Sequence, residues 1–343
     1  STWASPNKKG ALKVAEVGAG ANMNLAVQLG TPEHCDRTWI YRQYDQRVQA
    51  RTVRGADHDV AFHRLPSGRG LAVTVGCRPA WMKRDAQIGA LDAVFYPSLQ
   101  MAIKGAEVQG ITDCLNFGNP ERPEIMSEFV ASVDSIRDAS LALEAPVISG
   151  NVSFYNETLG QNIISTPATG LVGLRPEVEE IPEDRFQRLG SYVYLMKLAS
   201  VRARGEREWT GGLHIEDLAR QIKAIAAMVS RFKASEILSS QVSGRGGLLL
   251  SLAKMSMQEI SLGLDADLRF EDLIDEVLYE AIFEIAPGSE TQFLSETKAA
   301  GLEVQKIGRT QEGAMTWKNH SWKISEFKSA SAAGFGGLLD GIS

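Results

Sequence analysis

Apolar positions along this chain follow two periods, and the switches between them mark out its elements. Asp59-Val60-Ala61-Phe62-His63-Arg64-Leu65 partly alternates, Gly68 and Gly70 offer a turn, and Leu71-Ala72-Val73-Thr74-Val75 is a short apolar run, so the stretch predicts a hairpin. Residues 90–104 have helical spacing with Pro97 inside, which should kink or delay the helix. Residues 108–113 predict a short strand that leaves Asp113 at its end. Ile125, Phe129, Val133 and Ile136 stand at three- and four-residue steps and predict an amphipathic helix over Pro123–Leu143. Residues 146–148 predict the next short strand, ending at Ser149-Gly150, and residues 169–174 a further one.

A charged, proline-marked stretch, residues 175–187, is the predicted linker. Tyr192-Val193-Tyr194-Leu195-Met196 opens a second unit, with helices expected over 215–230 and 247–257 and weaker ones over 271–280 and 290–300. Trp317 and Trp322 suggest an exposed C-terminal hairpin. Residues 1–30, rich in Gly, Ala and Asn, predict a flexible lead-in. The expected organisation is therefore a lead-in (1–30), a first α/β domain (31–178) and a C-terminal α+β domain (186–343).

Composition narrows the function classes. The chain has 343 residues, 44% hydrophobic and 23% charged, as expected of a soluble globular protein with two cores. A net charge of -6 argues against a binder of nucleic-acid backbones. No apolar run approaches the length of a membrane span. Three cysteines at wide spacing imply neither a disulfide framework nor a zinc site, and a cytoplasmic location is the simplest expectation. The absence of an initiator Met suggests a processed chain or a fragment of a longer one.

Two polar blocks could carry chemistry. In Ile111-Thr112-Asp113-Cys114-Leu115-Asn116-Phe117-Gly118-Asn119-Pro120-Glu121, a strand runs into an Asn/Gly-rich turn and then a helix, which presents oxygens beside a helix N-terminus. Ile148-Ser149-Gly150-Asn151-Val152-Ser153-Phe154-Tyr155-Asn156-Glu157 repeats the logic. Gly150 permits close backbone approach, Asn151 offers a neutral oxygen to a hard cation, and Ser153 offers a hydroxyl. Ordinary strand–turn–helix structure, with Asp113, Asn116 and Asn156 satisfying turn amides, is the competing explanation. The five histidines are scattered without metal spacing, and no Cys sits in a nucleophile turn beside a base.

Both blocks, together with Tyr44-Asp45-Gln46-Arg47-Val48-Gln49 and Thr52-Val53, resemble in order and spacing the second half of the synthetase subunit of phosphoribosylformylglycinamidine synthase. The resemblance is close from about Arg37 to Leu174 and thinner from Gly190 to about Gly308. It implies an aminoimidazole ribonucleotide synthetase-like unit, in which a mostly antiparallel sheet pairs with its counterpart in the other half to close a barrel, followed by a smaller α+β domain. It implies an ATP-dependent carbon–nitrogen ligase of purine biosynthesis that converts formylglycinamide ribonucleotide to its amidine with ammonia from glutamine. Carried over by position, Asp113 and Gly150 would contact ATP, Asn151 would ligate Mg2+, and Ser153 would touch the ribonucleotide. The implied partners are a first half of the synthetase and a glutaminase subunit that supplies ammonia.

The same resemblance exposes departures. Relatives keep an auxiliary magnesium-nucleotide site in this half, held by acidic residues. Here Gly76, Tyr96, Gln100, Val242 and Arg245 stand at its expected polar positions, so that site should be empty or filled differently, with Arg245 a candidate replacement for the cation. Glu280 and Glu284 stand in a family stretch that carries an Arg at the second position. A catalytically silent structural half, kept for assembly after its nucleotide site decayed, is the alternative reading. Another ATP enzyme of the same superfamily ranks third.

Overall fold

The computed structural model describes residues 24–203 and 213–340. Most of the expected lead-in lies outside the described residues. Its last part is ordered: α1 (Leu25–Leu29) is a helical turn, capped by Asn24, that buries Leu25 and Leu29. A short α2 (Thr38–Tyr41) follows.

The first unit comprises β1 (Thr52–Arg54), β2 (Ala61–Arg64), β3 (Gly70–Gly76), α3 (Pro79–Arg84), α4 (Ala86–Ala102), β4 (Glu107–Asn116), α5 (Pro123–Leu143), β5 (Val147–Ser153), a small ladder of β6 (Glu157–Thr158) with β7 (Gln161–Asn162), and β8 (Thr166–Arg175). Six strands form one sheet in the order β1-β2-β3-β8-β4-β5. Every neighbouring pair is antiparallel except β4 and β5, which run parallel. α5 has the predicted bounds. α4 starts earlier than predicted because Asp85 caps it, accepting from the amides of Gln87 and Ile88. Pro97 does not break the helix. The carbonyl its missing N–H would have served, Ala93 O, accepts instead from the Thr169 hydroxyl of β8.

α4 covers one face of this sheet, and strict alternation along β8 shows that only this face is buried. The other face carries Leu71, Val73, Val75, Val172 and Leu174 in its apolar half, and Val75 is 68% exposed. Beside them, toward β5, the same open face turns polar.

The second unit holds β9 (Tyr192–Ala203), α6 (Ile215–Val229), β10 (Ile237–Val242), α7 (Gly247–Met255), β11 (Ile260–Leu264), α8 (Phe270–Ile274), β12 (Glu276–Ile285), α9 (Glu290–Ala299), β13 (Glu303–Glu312), β14 (Ala314–Trp317), β15 (His320–Lys323) and α10 (Ile324–Asp340). Its seven-stranded sheet has the order β10-β12-β9-β13-β11-β14-β15. Tyr194, Met196, Phe283 and Ile285 face α6 and α9 in a core continuous with that of the first unit. Val193, Leu195 and Ile282 face α7, α8 and α10 on the other side. The helix expected over 271–280 is corrected: only Phe270–Ile274 is helical, and β12, almost wholly buried between β9 and β10, begins at Glu276. Trp317 lies in the predicted hairpin but is buried at 4% exposure rather than exposed.

The predicted linker runs between the sheets as a strap held by three cations. Arg54 donates to the carbonyls of Ile181 and Pro182, and Arg175 to those of Lys104, Glu177 and Glu180. Lys104, 2% exposed, donates to the carbonyls of Pro182, Glu183 and Ser240 and pairs with Asp184 at 2.6 Å. Glu284, one of the departures noted above, accepts from the amides of Gln187 and Arg188 and from Ser239. Its buried carboxylate anchors the strap's far end, and α6 packs on α4 and α5, so the two units form one body.

Candidate active site

The β4–β5 pair positions all four candidate residues. Its register sets Thr112 opposite Ser149, Asp113 opposite Gly150, Cys114 opposite Asn151 and Asn116 opposite Ser153. Both strands run further than the sequence suggests, to Asn116 and Ser153: β4 is paired on both sides, by β8 and by β5, and β5, at the sheet edge, follows β4 to its end. The candidates therefore sit within a ladder and not in turns beyond it. Alternation then sorts them. Asp113 and Gly150 share the helix-facing side with Ile111 and Leu115, while Asn151 and Ser153 lie on the open face with Thr112, Cys114, Asn116 and Ser149.

Asp113 accepts from the Asn151 amide, and its carboxyl leans over Gly150. A Cβ at position 150 would stand 2.6 Å from Asp113 Cγ and closer still to Oδ1, so only glycine admits this approach. Burial pushes the Asp113 carboxyl above its ordinary value, an effect the Asn151 amide partly offsets. A half-buried carboxylate with one donor is suited to receive further donors or a cation.

On the open face, Thr112 Oγ1 and Ser149 Oγ lie 2.9 Å apart, a hydroxyl pair the sequence reading did not single out. Asn116 is turned inward, donating to the Cys114 carbonyl at 3.0 Å. Ser153 Oγ is 3.1 Å from Asn156 Nδ2, which also donates to the carbonyls of Phe117 and Ser153. Asn156 thus holds the turn, as the competing explanation proposed, and leaves Ser153 oriented beside the open face. Below it, Asn162 accepts from the Asn119 amide at 2.9 Å and closes the β6–β7 ladder over Gly118.

The open face presents the Asn151 amide oxygen and the hydroxyls of Thr112, Ser149 and Ser153, which fit a cation or phosphate shared with another surface, while the Asp113 carboxylate lies on the other side of the same strand pair. Among the described residues no group of three or more His, Cys, Asp or Glu side chains is placed to hold a metal alone. Burial pushes the Cys77 thiol upward, away from the thiolate form. No described helix is long and apolar enough to cross a membrane.

This half-covered sheet with a polar edge pair is that of the AIR synthase related protein, N-terminal domain, whose family model matches residues 57–173. Across most of its length the chain is a homologue of phosphoribosylformylglycinamidine synthase subunit PurL. It is 32% identical to that subunit from Parvibaculum lavamentivorans over 92% of this chain and 45% of the relative. With the subunit from an Anaeromyxobacter species it shares 37% identity over 67% of this chain and 32% of the relative. The chain thus spans about half or less of the length of the relatives it matches. Among solved structures, Thermotoga maritima PurL complexed with ADP shares the fold at a TM-score of 0.69 and 14% identity, over 90% of this chain and 51% of that one. A thiamine-monophosphate kinase from Stenotrophomonas maltophilia shares it more distantly, at a TM-score of 0.51 and 15% identity over 77% of this chain and 89% of that one.

Proposed function

We propose that this chain is the second half of a PurL-type synthetase and supplies one side of its catalytic site. The reaction is ATP-dependent activation of the formyl amide oxygen of formylglycinamide ribonucleotide as a phosphate-bearing intermediate. Ammonia from glutamine, supplied by a separate glutaminase subunit, displaces that phosphate to give the amidine. The single observation that carries the proposal is the β4–β5 register, which gathers Asp113, Gly150, Asn151 and Ser153 on one strand pair. Homology to PurL, and the Thermotoga maritima PurL complexes with ATP and with FGAR, support the substrate class.

Asp113 and the exposed backbone at Gly150 would contact ATP, Asn151 would hold Mg2+, and Ser153 would orient the ribonucleotide. When bound, the ion neutralises charge on the transferred phosphoryl group. Its remaining ligands would come from the first half of the synthetase. The open face bearing Leu71, Val73, Val75, Val172 and Leu174 is apolar and uncovered enough to pair with a second sheet, which supports the barrel expected from the family.

The test combines this chain with a first half and a glutaminase and follows phosphate release dependent on formylglycinamide ribonucleotide. Turnover that needs both halves, and that falls at least tenfold with Asp113→Asn, supports the proposal. Association without any effect of Asp113→Asn, Asn151→Ala or Ser153→Ala favours the silent structural half.

A further inference from the structure

The auxiliary nucleotide site that the family resemblance implies does not fit this chain. Gly76 ends β3 under α4, and a Cβ there would meet Ala93 O and stand 2.6 Å from Pro97 Cγ. No acidic side chain can enter at that position. One residue earlier on the same helix, the Tyr96 hydroxyl stands 2.7 Å from where a Cβ of Gly244 would be. The Tyr96-Pro97 turn of α4 therefore fills the space between Gly76 and Gly244. Gln100 is buried beside Thr74, and Val242 is buried in the core.

A cation is nevertheless present. The Arg78 guanidinium is stacked 3.8 Å over the Tyr96 ring. It donates to both carboxylate oxygens of Asp92, at 2.7 and 2.5 Å, and to Glu276 at 2.9 Å. Asp92 is 1% exposed and lies on α4, whereas Glu276 begins β12 of the second unit and also accepts from Trp81 Nε1 at 2.9 Å. Burial works against the Arg78 charge, but Asp92 and Glu276 outweigh it and hold the group protonated. A planar, permanently charged fork is suited to bridging two carboxylates in this way. Arg245, the replacement expected from the sequence, is not the cation. Its side chain is more than half exposed and reaches Glu33 at 3.6 Å.

We propose that the Arg78–Asp92–Glu276 cluster replaces a bound magnesium nucleotide at the junction of the two units, so that this half is locked by its own guanidinium and carries no second nucleotide. The family resemblance supplies only the identity of what is replaced; the cluster stands on its geometry. Nucleotide content is independent of ligase turnover, so this proposal and the proposed function can fail separately.

Native mass spectrometry and thermal melts of the full chain test it. The expected result is no nucleotide retained through purification and a melt unchanged by EDTA. Arg78→Met should lower the melting temperature by several degrees, because it strands the buried Asp92 carboxylate and takes the cation from Glu276. Adding Asp92→Asn to that variant should recover part of the loss, as coupled partners do and independent sites do not. If Arg78→Met does not fold, the nucleotide content of the unaltered chain still decides. One tightly held nucleotide per chain whose removal lowers the melting temperature would overturn the proposal, as would strictly additive losses for the two substitutions.

Discussion

Asp113 and Gly150 face each other across the parallel β4–β5 pair so closely that a methyl group at position 150 would overlap the carboxylate. The glycine is therefore a condition for where Asp113 sits. Gly150→Ala should displace the carboxylate and raise the KM for ATP in the reconstituted synthetase at least tenfold, with a stability loss of about 1–3 kcal/mol. Unchanged ATP kinetics in a folded variant would show that the approach has no part in binding nucleotide.

Asn151 and Ser153 lie two residues apart on the open face and should fail differently. Asn151→Ala should raise the Mg2+ concentration needed for half-maximal rate, while Ser153→Ala should raise the KM for the ribonucleotide by roughly tenfold, the worth of one hydrogen bond. Magnesium and substrate titrations of both variants distinguish the roles. Identical effects of the two substitutions on both titrations would contradict the assignment.

Lys104 serves three carbonyls and Asp184 from a site 2% exposed. Lys104→Met removes the ammonium partner of Asp184, which keeps only His58, and takes one donor from each of the three carbonyls, so urea denaturation should show a loss of about 3–5 kcal/mol. A loss under about 1 kcal/mol would mean that the strap is held by other contacts.

His34 is half-buried, 3.3 Å from Lys254 Nζ, with Arg245, Arg37 and Glu33 also near it. Burial, and then the Lys254 charge, lower its pKa from 6.5 to about 4. The unfolded chain therefore takes up a proton between these values that the folded chain does not, so the contribution of His34 is complete above pH 6.5 and is lost as pH falls toward 4. Melts of the unaltered chain and of His34→Gln, compared across that range, should converge as pH falls. A constant difference between them would contradict the shift.

Local pattern made much of the first unit legible. Apolar spacing located α5 to the residue, and Gly68 with Gly70 marked the β2–β3 hairpin. Distant partners decided what the pattern missed. The pattern predicts a helix over 271–280, yet the chain enters β12 at Glu276, where pairing with β9 and β10 decides, and the Glu284 carboxylate at its far end is satisfied by amides nearly a hundred residues earlier. Pro97 suggested a kinked or delayed helix because Thr169, which satisfies the freed carbonyl, is 72 positions beyond it. The candidate residues were named from motif resemblance, while their division between two sheet faces needed the strand register. Arg78 was overlooked since its partners stand 14 and 198 positions away, and Arg245 lay in the more conspicuous motif.

The central claim is that this chain supplies half of a shared catalytic site. Its most direct test is the rate of phosphate release, in the presence of ammonia, ATP, Mg2+ and formylglycinamide ribonucleotide, from a first half combined with either the unaltered chain or Asp113→Asn. The account predicts turnover at least tenfold slower with Asp113→Asn than with the unaltered chain, and equal association of both forms with the first half. Equal turnover from the two forms, or full turnover by the first half alone, would contradict it.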